Sequence, residues 1–210
     1  MEFPEARLLV FAKAPVPGQV KTRLAGKYGI RGAAKLYQAM LCRTLAMATA
    51  ADLCPAQLWC APNTKHRFFA SCRRDYGVTL KTQPGGDLGR RMDLALRQAL
   101  RESSWAVLIG GDCPSLGPAE LRAALAALAG GQDAVLGPAE DGGYVLIGLR
   151  RPYPALFYGV PWGNTSVLAA TRRRLRRAGM DWLELPAGWD VDYPADVRRL
   201  KRSGFTVPAV

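Results

Sequence analysis

The chain has 210 residues, 49% of them hydrophobic and 22% charged, which excludes a disordered or fibrous polymer and allows one domain, residues 1–210, to bury a full-sized core. Five cysteines without a C-x-x-C pair exclude a disulfide framework and a structural zinc site, and the single histidine, His66, leaves no Ser-His-Asp triad and no multi-histidine metal centre. The formal charge of +12 is uneven: residues 101–149 hold two arginines against six acids, so the excess does not form one basic face for nucleic acid.

At the start, acids stand where a secretory signal would carry a basic region, and Arg43 interrupts the most apolar later stretch, Leu41 to Ala51. A cytoplasmic protein with no membrane span is expected. Leu8-Leu9-Val10-Phe11 reads as a buried strand ending in the loop Lys13-Ala14-Pro15-Val16-Pro17-Gly18. Arg31 to Ala50, with apolar residues at helical spacing, predicts a helix, Gln57 to Ala61 a strand, Lys65 to Asp75 a short helix, and Val78 to Leu80 another strand. The turn 83–87, containing Gly86, opens a helix through Leu88, Met92, Leu96 and Leu100. Trp105 to Ile109 is a third buried strand, and Pro118 starts a helix carrying Leu121, Leu125 and Leu128.

Beyond Asp133 the pattern changes. Strands at 134–136 and 144–147 flank the loop Gly137 to Gly143, which predicts antiparallel pairing. A helix from Thr165 to Ala178, a strand at 183–185 and a last helix, Ala195 to Arg202 after Pro194, complete the chain; Arg172, Arg173, Arg174, Arg176 and Arg177 are expected to face water. Repeated strand, loop, helix order implies an α/β fold with a mixed, mostly parallel sheet and helices on both faces, and ligands bind such sheets beyond the carboxyl ends of the strands.

Four segments carry residues suited to chemistry. The first, Ala12-Lys13 through Pro15 and Gly18 to Lys21-Thr22-Arg23, crowds three cations and free N–H groups between a strand and a helix, which suits a polyphosphate. In the second, Gly111 lets the backbone approach a ligand and Asp112 offers a carboxylate to Mg²⁺ or Mn²⁺. The third places Asp190 and Asp192 on one face of an extended segment, able to complete that metal shell, whereas Asp196 sits in a first helical turn and is expected to stabilise that helix terminus. The fourth, Glu140-Asp141-Gly142-Gly143-Tyr144, offers Asp141 as an acceptor-side carboxylate or, in the plainer reading, builds an Asp-Gly hairpin turn. Tyr144 or Trp162 offers an aromatic face to a base or sugar, and Cys113, with no partner to activate it, reads as a loop residue.

Together these segments resemble a bacterial family with the glycosyltransferase A fold, related to nucleotide-diphospho-sugar transferases and to cofactor nucleotidyltransferases. The matching stretches run end to end: Phe11 to Gly18 with Lys21 to Leu24, Gln83 to Met92, Gly111 to Pro114, Gly137 to Gly148, and Trp189 to Asp196. The resemblance implies a transferase using a nucleotide-activated small-molecule donor and a small acceptor. Its implied metal ligands for Mg²⁺ or Mn²⁺ are Asp112, Asp190 and Asp192. Lys21 and Asp141 are the expected catalytic residues; Ala12, Lys13, Pro15, Gly18, Lys21, Thr22, Arg23, Gly86 and Gly111 are the expected nucleotide and phosphate contacts. One departure is plain: Cys113-Pro114 follows Asp112, so the Asp-x-Asp signature of many nucleotide-sugar transferases is missing there. That leaves two readings open, glycosyl transfer and nucleotidyl transfer with release of pyrophosphate.

Overall fold

A computed structural model describes residues 1–208. Seven strands form one sheet: β1 (Ala6–Lys13), β2 (Ala56–Ala61), β3 (Thr79–Thr82), β4 (Trp105–Gly110), β5 (Ala134–Pro138), β6 (Tyr144–Leu149) and β7 (Trp182–Glu184), in the order β3-β2-β1-β4-β6-β5-β7. The helices are α1 (Ala25–Ala50), α2 (Arg67–Tyr76), α3 (Leu88–Ala99), α4 (Pro118–Ala129), α5 (Val167–Arg177) and α6 (Pro194–Arg202). Strands β3, β2, β1 and β4 run parallel, β6 is antiparallel to both β4 and β5, and β7 is parallel to β5. No described helix is long and apolar enough to cross a membrane.

The two-residue side-chain period of the strands sorts the core onto two faces. Leu8, Val10, Leu58, Val107, Ile109 and Leu146 pack on one face with Leu41 and Leu45 of α1, Phe69 of α2 and Leu121, Leu125 and Leu128 of α4. Leu9, Trp59, Leu108, Leu136 and Ile147 pack on the other with Met92 and Leu96 of α3 and Leu168 and Leu175 of α5. A third cluster lies off the sheet: Val20, Leu24, Leu36, Tyr37 and Met40 close against Val191, Val197 and Leu200. Fully burying each such aliphatic side chain contributes about 1.5–3 kcal/mol, so this cluster firmly holds the loop after β1 against the segment leading into α6.

Helix α1 begins at Ala25, six residues before the start expected at Arg31, and bends where Gly29 takes φ 65. A run holding Gly26, Gly29 and Gly32 lacks helical propensity; the packing of Leu24 and Ala33 beneath it supplies what propensity does not. The five arginines of α5 divide. Arg173, Arg176 and Arg177 are exposed as expected. Arg172 instead forms a two-point pair with Glu184 at 2.8 and 2.6 Å, and Arg174 donates to the carbonyls of Ala155 and Tyr158 at 2.7 and 2.6 Å.

Because β6 runs antiparallel, its first residue lies at the same sheet edge as the last residues of β1, β4 and β5. The loops 14–21, 83–87, 111–117, 139–143 and 185–193 therefore all emerge on one rim.

Candidate functional site

Hydrogen bonds along this rim fix its acidic segments. Ser115 Oγ accepts from the Trp189 amide at 2.8 Å and donates to the Trp189 carbonyl at 3.0 Å, and the Cys113 thiol donates to the same carbonyl at 3.2 Å. Gly188 N–H donates to the Pro138 carbonyl at 2.7 Å, and Glu140 N–H donates to the Gly188 carbonyl at 3.0 Å. The segment carrying Asp190 and Asp192 is thus stitched to the loop of Asp112 on one side and to that of Asp141 on the other. Cys113 belongs to this framework: it is buried, and burial pushes its thiol up to about 12, so it stays protonated.

Lys21 stands where these loops meet. Its backbone is left-handed, φ 46, unusual for a residue with a side chain, and it leads into the 3₁₀ turn Thr22–Leu24 whose Leu24 is buried. Only 7% of its side chain is exposed, and its Nζ lies 2.6 Å from Asp112 Oδ2 and 2.9 Å from Asp192 Oδ1. Burial opposes the charge, but the Asp112 and Asp192 carboxylates outweigh it and raise the ammonium's pKa above its ordinary value. Arg23 donates to Asp192 Oδ2 at 2.6 Å and lies 5.2 Å from the centre of the Tyr193 ring. Asp192 is buried enough to resist ionisation, yet Lys21 and then Arg23 hold its carboxyl below the usual range.

A cleft of about 700 Å³ opens beside this network. Of the expected contacts, Ala12, Lys13, Lys21, Thr22, Arg23, Gly86, Asp112 and Asp192 line it. Three of the expected nucleotide and phosphate contacts do not. Pro15 faces a neighbouring groove with Arg31 and His66. Gly18 makes a turn at φ 81 and lines none of the described cavities. Gly111 points inward, where a Cβ would meet Leu41 at 2.7 Å, so this glycine serves packing.

Several cleft residues are not singled out as contacts by the sequence, although Gln83 and Arg91 lie in a matching stretch. Gln83 donates from Nε2 to the carbonyls of Ala12 and Trp59 at 3.0 and 2.9 Å, tying the ends of β1 and β2 together. The Tyr37 hydroxyl accepts from Lys13 N–H at 2.9 Å, and Arg91 donates to the Gly86 carbonyl at 2.8 Å. Each is an ordinary residue for its element, and only the tertiary fold brings it to the rim.

A second cavity, about 390 Å³, lies on the other side of Asp192 and Arg23, which it shares with the cleft. Asp141 and Asp190 line it. Asp141 also builds the hairpin turn between β5 and β6: its Oδ1 accepts from Gly143 N–H at 2.9 Å, beside Gly142 at φ 87. Asp196 caps α6 by accepting from Asp192 and Tyr193 N–H at 3.0 and 2.7 Å, the terminus-stabilising role expected of it. The rings of Tyr144 and Trp162 pack edge to face at 6.2 Å with the phenol oxygen and indole nitrogen both buried, and neither residue lines the cleft or the second cavity.

Among the described residues no three Asp, Glu, His or Cys side chains already form a metal-binding cluster. The donor chemistry nevertheless fits a hard divalent cation. Beside the Lys21 ammonium that bridges Asp112 Oδ2 and Asp192 Oδ1, Asp112 Oδ1 accepts no hydrogen bond among the described residues and is left as a donor to a cation. Asp190 makes no hydrogen bond among the described residues; burial raises its carboxyl to about 6, with Asp192, Asp112 and Asp141 adding repulsion against the opposing pull of Lys21. Four carboxylates so close carry more negative charge than Lys21 and Arg23 neutralise.

The fold is shared with nucleotide-using transferases. A protein from Desulfovibrio desulfuricans G20, described provisionally as a nucleotide-diphospho-sugar transferase, is 33% identical with TM-score 0.86, over 96% of this chain and 88% of its own. The 4-diphosphocytidyl-2C-methyl-D-erythritol synthase of Anaerococcus prevotii DSM 20548 superposes with TM-score 0.62 at 10% identity, over 95% and 98% of the two chains. Glucosyl-3-phosphoglycerate synthase from Mycobacterium tuberculosis, solved with Mn²⁺, UDP and glucosyl-3-phosphoglycerate, gives TM-score 0.53 at 11% identity, over 97% and 81%. These likenesses make the architecture a glycosyltransferase A-like one, as the sequence segments imply. No curated protein matches the chain significantly. The model of the DUF2064 family, described as uncharacterized protein conserved in bacteria, matches residues 44–164, more than half of the chain. The chain belongs to this DUF2064 family.

Proposed function

We propose that the protein is a metal-dependent glycosyltransferase that takes its donor from a nucleotide-diphospho-sugar. The observation that carries the reading is the meeting of the cationic loop after β1 with Asp112 and Asp192 at one cleft, through Lys21. The size of the cleft supports it too, since small-molecule sites run from about 300 to 1,000 Å³.

In this reading the exposed Lys13, Thr22 and Arg23 receive the donor's phosphate oxygens, with the Tyr37 hydroxyl and the Gln83 amide holding the end of β1 in position. Arg91, at the opposite lip, adds a further cation. Lys21 sits at the boundary between phosphates and carboxylates and keeps its proton throughout, so it acts as a fixed positive charge against the leaving diphosphate. Asp112, Asp190 and Asp192 would hold Mg²⁺ or Mn²⁺, which supplies, when bound, further stabilisation of that negative charge. Asp141, across Asp192, is the acceptor-side carboxylate; its Oδ1 stays on the Gly143 amide, leaving Oδ2 to meet a hydroxyl.

A thermal-shift screen of nucleotides and nucleotide sugars, each with and without Mn²⁺, tests this. A donor at a hundred times its Kd stabilises the native state by about 2.7 kcal/mol, so the expected result is a clear, Mn²⁺-enhanced rise for one nucleoside diphosphate and its sugar. Product analysis with the sugar donor then releases a nucleoside diphosphate. Release of pyrophosphate from a nucleoside triphosphate would replace this reading with nucleotidyl transfer, and a screen in which no nucleotide raises stability would end both.

A further inference from the structure

The second cavity has a charge that restricts its occupant. Five carboxylates, Glu140, Asp141, Asp190, Asp192 and Asp196, face two guanidinium groups, Arg23 and Arg199. Both cations are engaged. Arg199 grips the two oxygens of Glu140 at 2.7 and 2.9 Å and covers the Trp189 ring at 4.3 Å. Arg23 is held by Asp192 and lies over Tyr193. No lysine lines the cavity. Its remaining acceptor capacity is concentrated on Asp190 and on the second oxygen of Asp141, and its most exposed aromatic ring is Tyr193, 54% exposed with Arg23 over one side.

Resting on the transferase reading above, we propose that this cavity receives the acceptor, and that the acceptor is an unphosphorylated hydroxyl compound of sugar size. Hydroxyl groups donate to carboxylates in short charge-assisted hydrogen bonds, and the Tyr193 ring offers a flat apolar surface to the C–H face of a sugar ring. A phosphate monoester meets the opposite situation: it brings close to two negative charges to a wall whose five carboxylates outnumber its two guanidinium groups, of which Arg199 is paired with Glu140 and Arg23 is shared between Asp192 and, in the reading above, the donor's phosphates. A divalent ion at Asp112, Asp190 and Asp192 does not reverse this, because the diphosphate of the donor offsets its charge. The same wall disfavours an attacking phosphate, as nucleotidyl transfer to a phosphorylated acceptor requires.

The test uses the full chain and matched pairs: glucose with glucose 6-phosphate, ribose with ribose 5-phosphate, and glycerol with glycerol 3-phosphate. Binding is followed by saturation-transfer NMR in diamagnetic Mg²⁺, with and without the nucleoside diphosphate that gives the largest thermal shift. At least one neutral member binds, and its phosphorylated twin binds weaker by about tenfold or more, as expected of like charges brought together. Tyr193→Ala weakens the neutral ligand by at least threefold while nucleotide affinity stays within twofold, and Asp141→Lys narrows the gap between the twins. A phosphorylated twin that binds more tightly, a panel in which no neutral member binds, or neutral binding indifferent to Tyr193→Ala would overturn the proposal. Nucleotide affinity is measured separately, and its absence would sink the transferase reading itself; normal nucleotide binding with any of the three adverse results sinks only the acceptor assignment.

Discussion

The β3-β2-β1-β4 half of the sheet and the β6-β5-β7 half open onto the same rim, yet the cavities beside them differ in charge. The larger cleft carries Lys13, Lys21, Arg23 and Arg91 against Asp87, Asp112 and Asp192. The smaller carries five acids and two arginines, both arginines paired. A parallel sheet delivers successive strand ends to one edge, so the first half gathers cations from loops that follow strands. In the second half the antiparallel β6 converts a strand end into a hairpin turn, and the acids enter through that turn and the segment before α6. Lys21, with Asp112 and Asp192, is the seam between them.

Breaking the seam is expected to give the largest effect. Lys21→Met removes the only cation between two carboxylates while keeping a long side chain in the same left-handed backbone, so the loss reports charge and not strain. A fully buried pair broken this way costs about 3–5 kcal/mol. Asp112 and Asp192 are 29% and 34% exposed, which reduces the expected loss in urea denaturation to about 2 kcal/mol. Nucleotide affinity should fall about ten- to hundredfold, the usual worth of a hydrogen bond to a charged group. An unchanged urea midpoint would show that the two halves hold together without it.

Gly142→Ala sharpens the comparison from the other side. The residue has φ 87, and a Cβ there would run into the backbone of Thr165. Strain and displacement together should lower stability by about 2–3 kcal/mol, and because Thr165 and Asp141 both line the smaller cavity, acceptor KM should rise. Nucleotide Kd, measured by the same thermal shift, should stay within twofold. A parallel loss of nucleotide binding would mean that the cavities do not act separately.

Much of this was legible in the residues. Apolar runs at 8–11, 58–60 and 105–109 marked the central strands because buried parallel strands need nothing else, and the Asp-Gly pair at 141–142 announced the hairpin. The clustering of cations near 13–23 and of acids near 112 and 190–192 pointed to one rim. What could not be read is which groups would pair. Lys21 meets Asp192 across 171 positions only because Val20 and Leu24 pack against Val191 and Val197, a match of shapes with no local pattern. Gly111 misled for a related reason: glycine before a functional aspartate suggests approach to a ligand, whereas here the space is needed by Leu41. Tyr37 sits on a helix where tyrosine needs no explanation, and within the matching stretches nothing local marks Gln83 or Tyr193 as the side chain that reaches a cavity.

Arg91→Ala perturbs only the outer lip of the larger cleft. Arg91 is half-buried and already donates to Gly86, so its removal should weaken nucleotide binding by only about three- to tenfold, and the deficit should shrink as salt rises. Sugar binding in the smaller cavity should not change. A loss as large as that of Lys21→Met would place the phosphates near α3 and away from the seam.

The smallest expected effect lies at the far edge of the second half, where Arg172 of α5 meets Glu184 of β7. Arg172 holds the Glu184 carboxyl below the usual range by hydrogen bonding and charge, with the Trp182 indole assisting and burial opposing. A depressed folded-state value means the pair stabilises the protein fully above the unfolded glutamate's pKa of about 4.3 and loses that contribution as pH falls through the lower folded value. With side chains 36% and 27% exposed, screening limits the contribution to about 0.5–1 kcal/mol. Glu184→Gln should therefore cost about that much at pH 7, progressively less below pH ~4, and nothing extra when combined with Arg172→Met, as urea midpoints of the two single variants and the double variant would show. Both cavities lie elsewhere on the rim, so nucleotide and sugar affinities should be unmoved; a change in either would extend the coupled part of the molecule beyond the seam to the sheet's last strand.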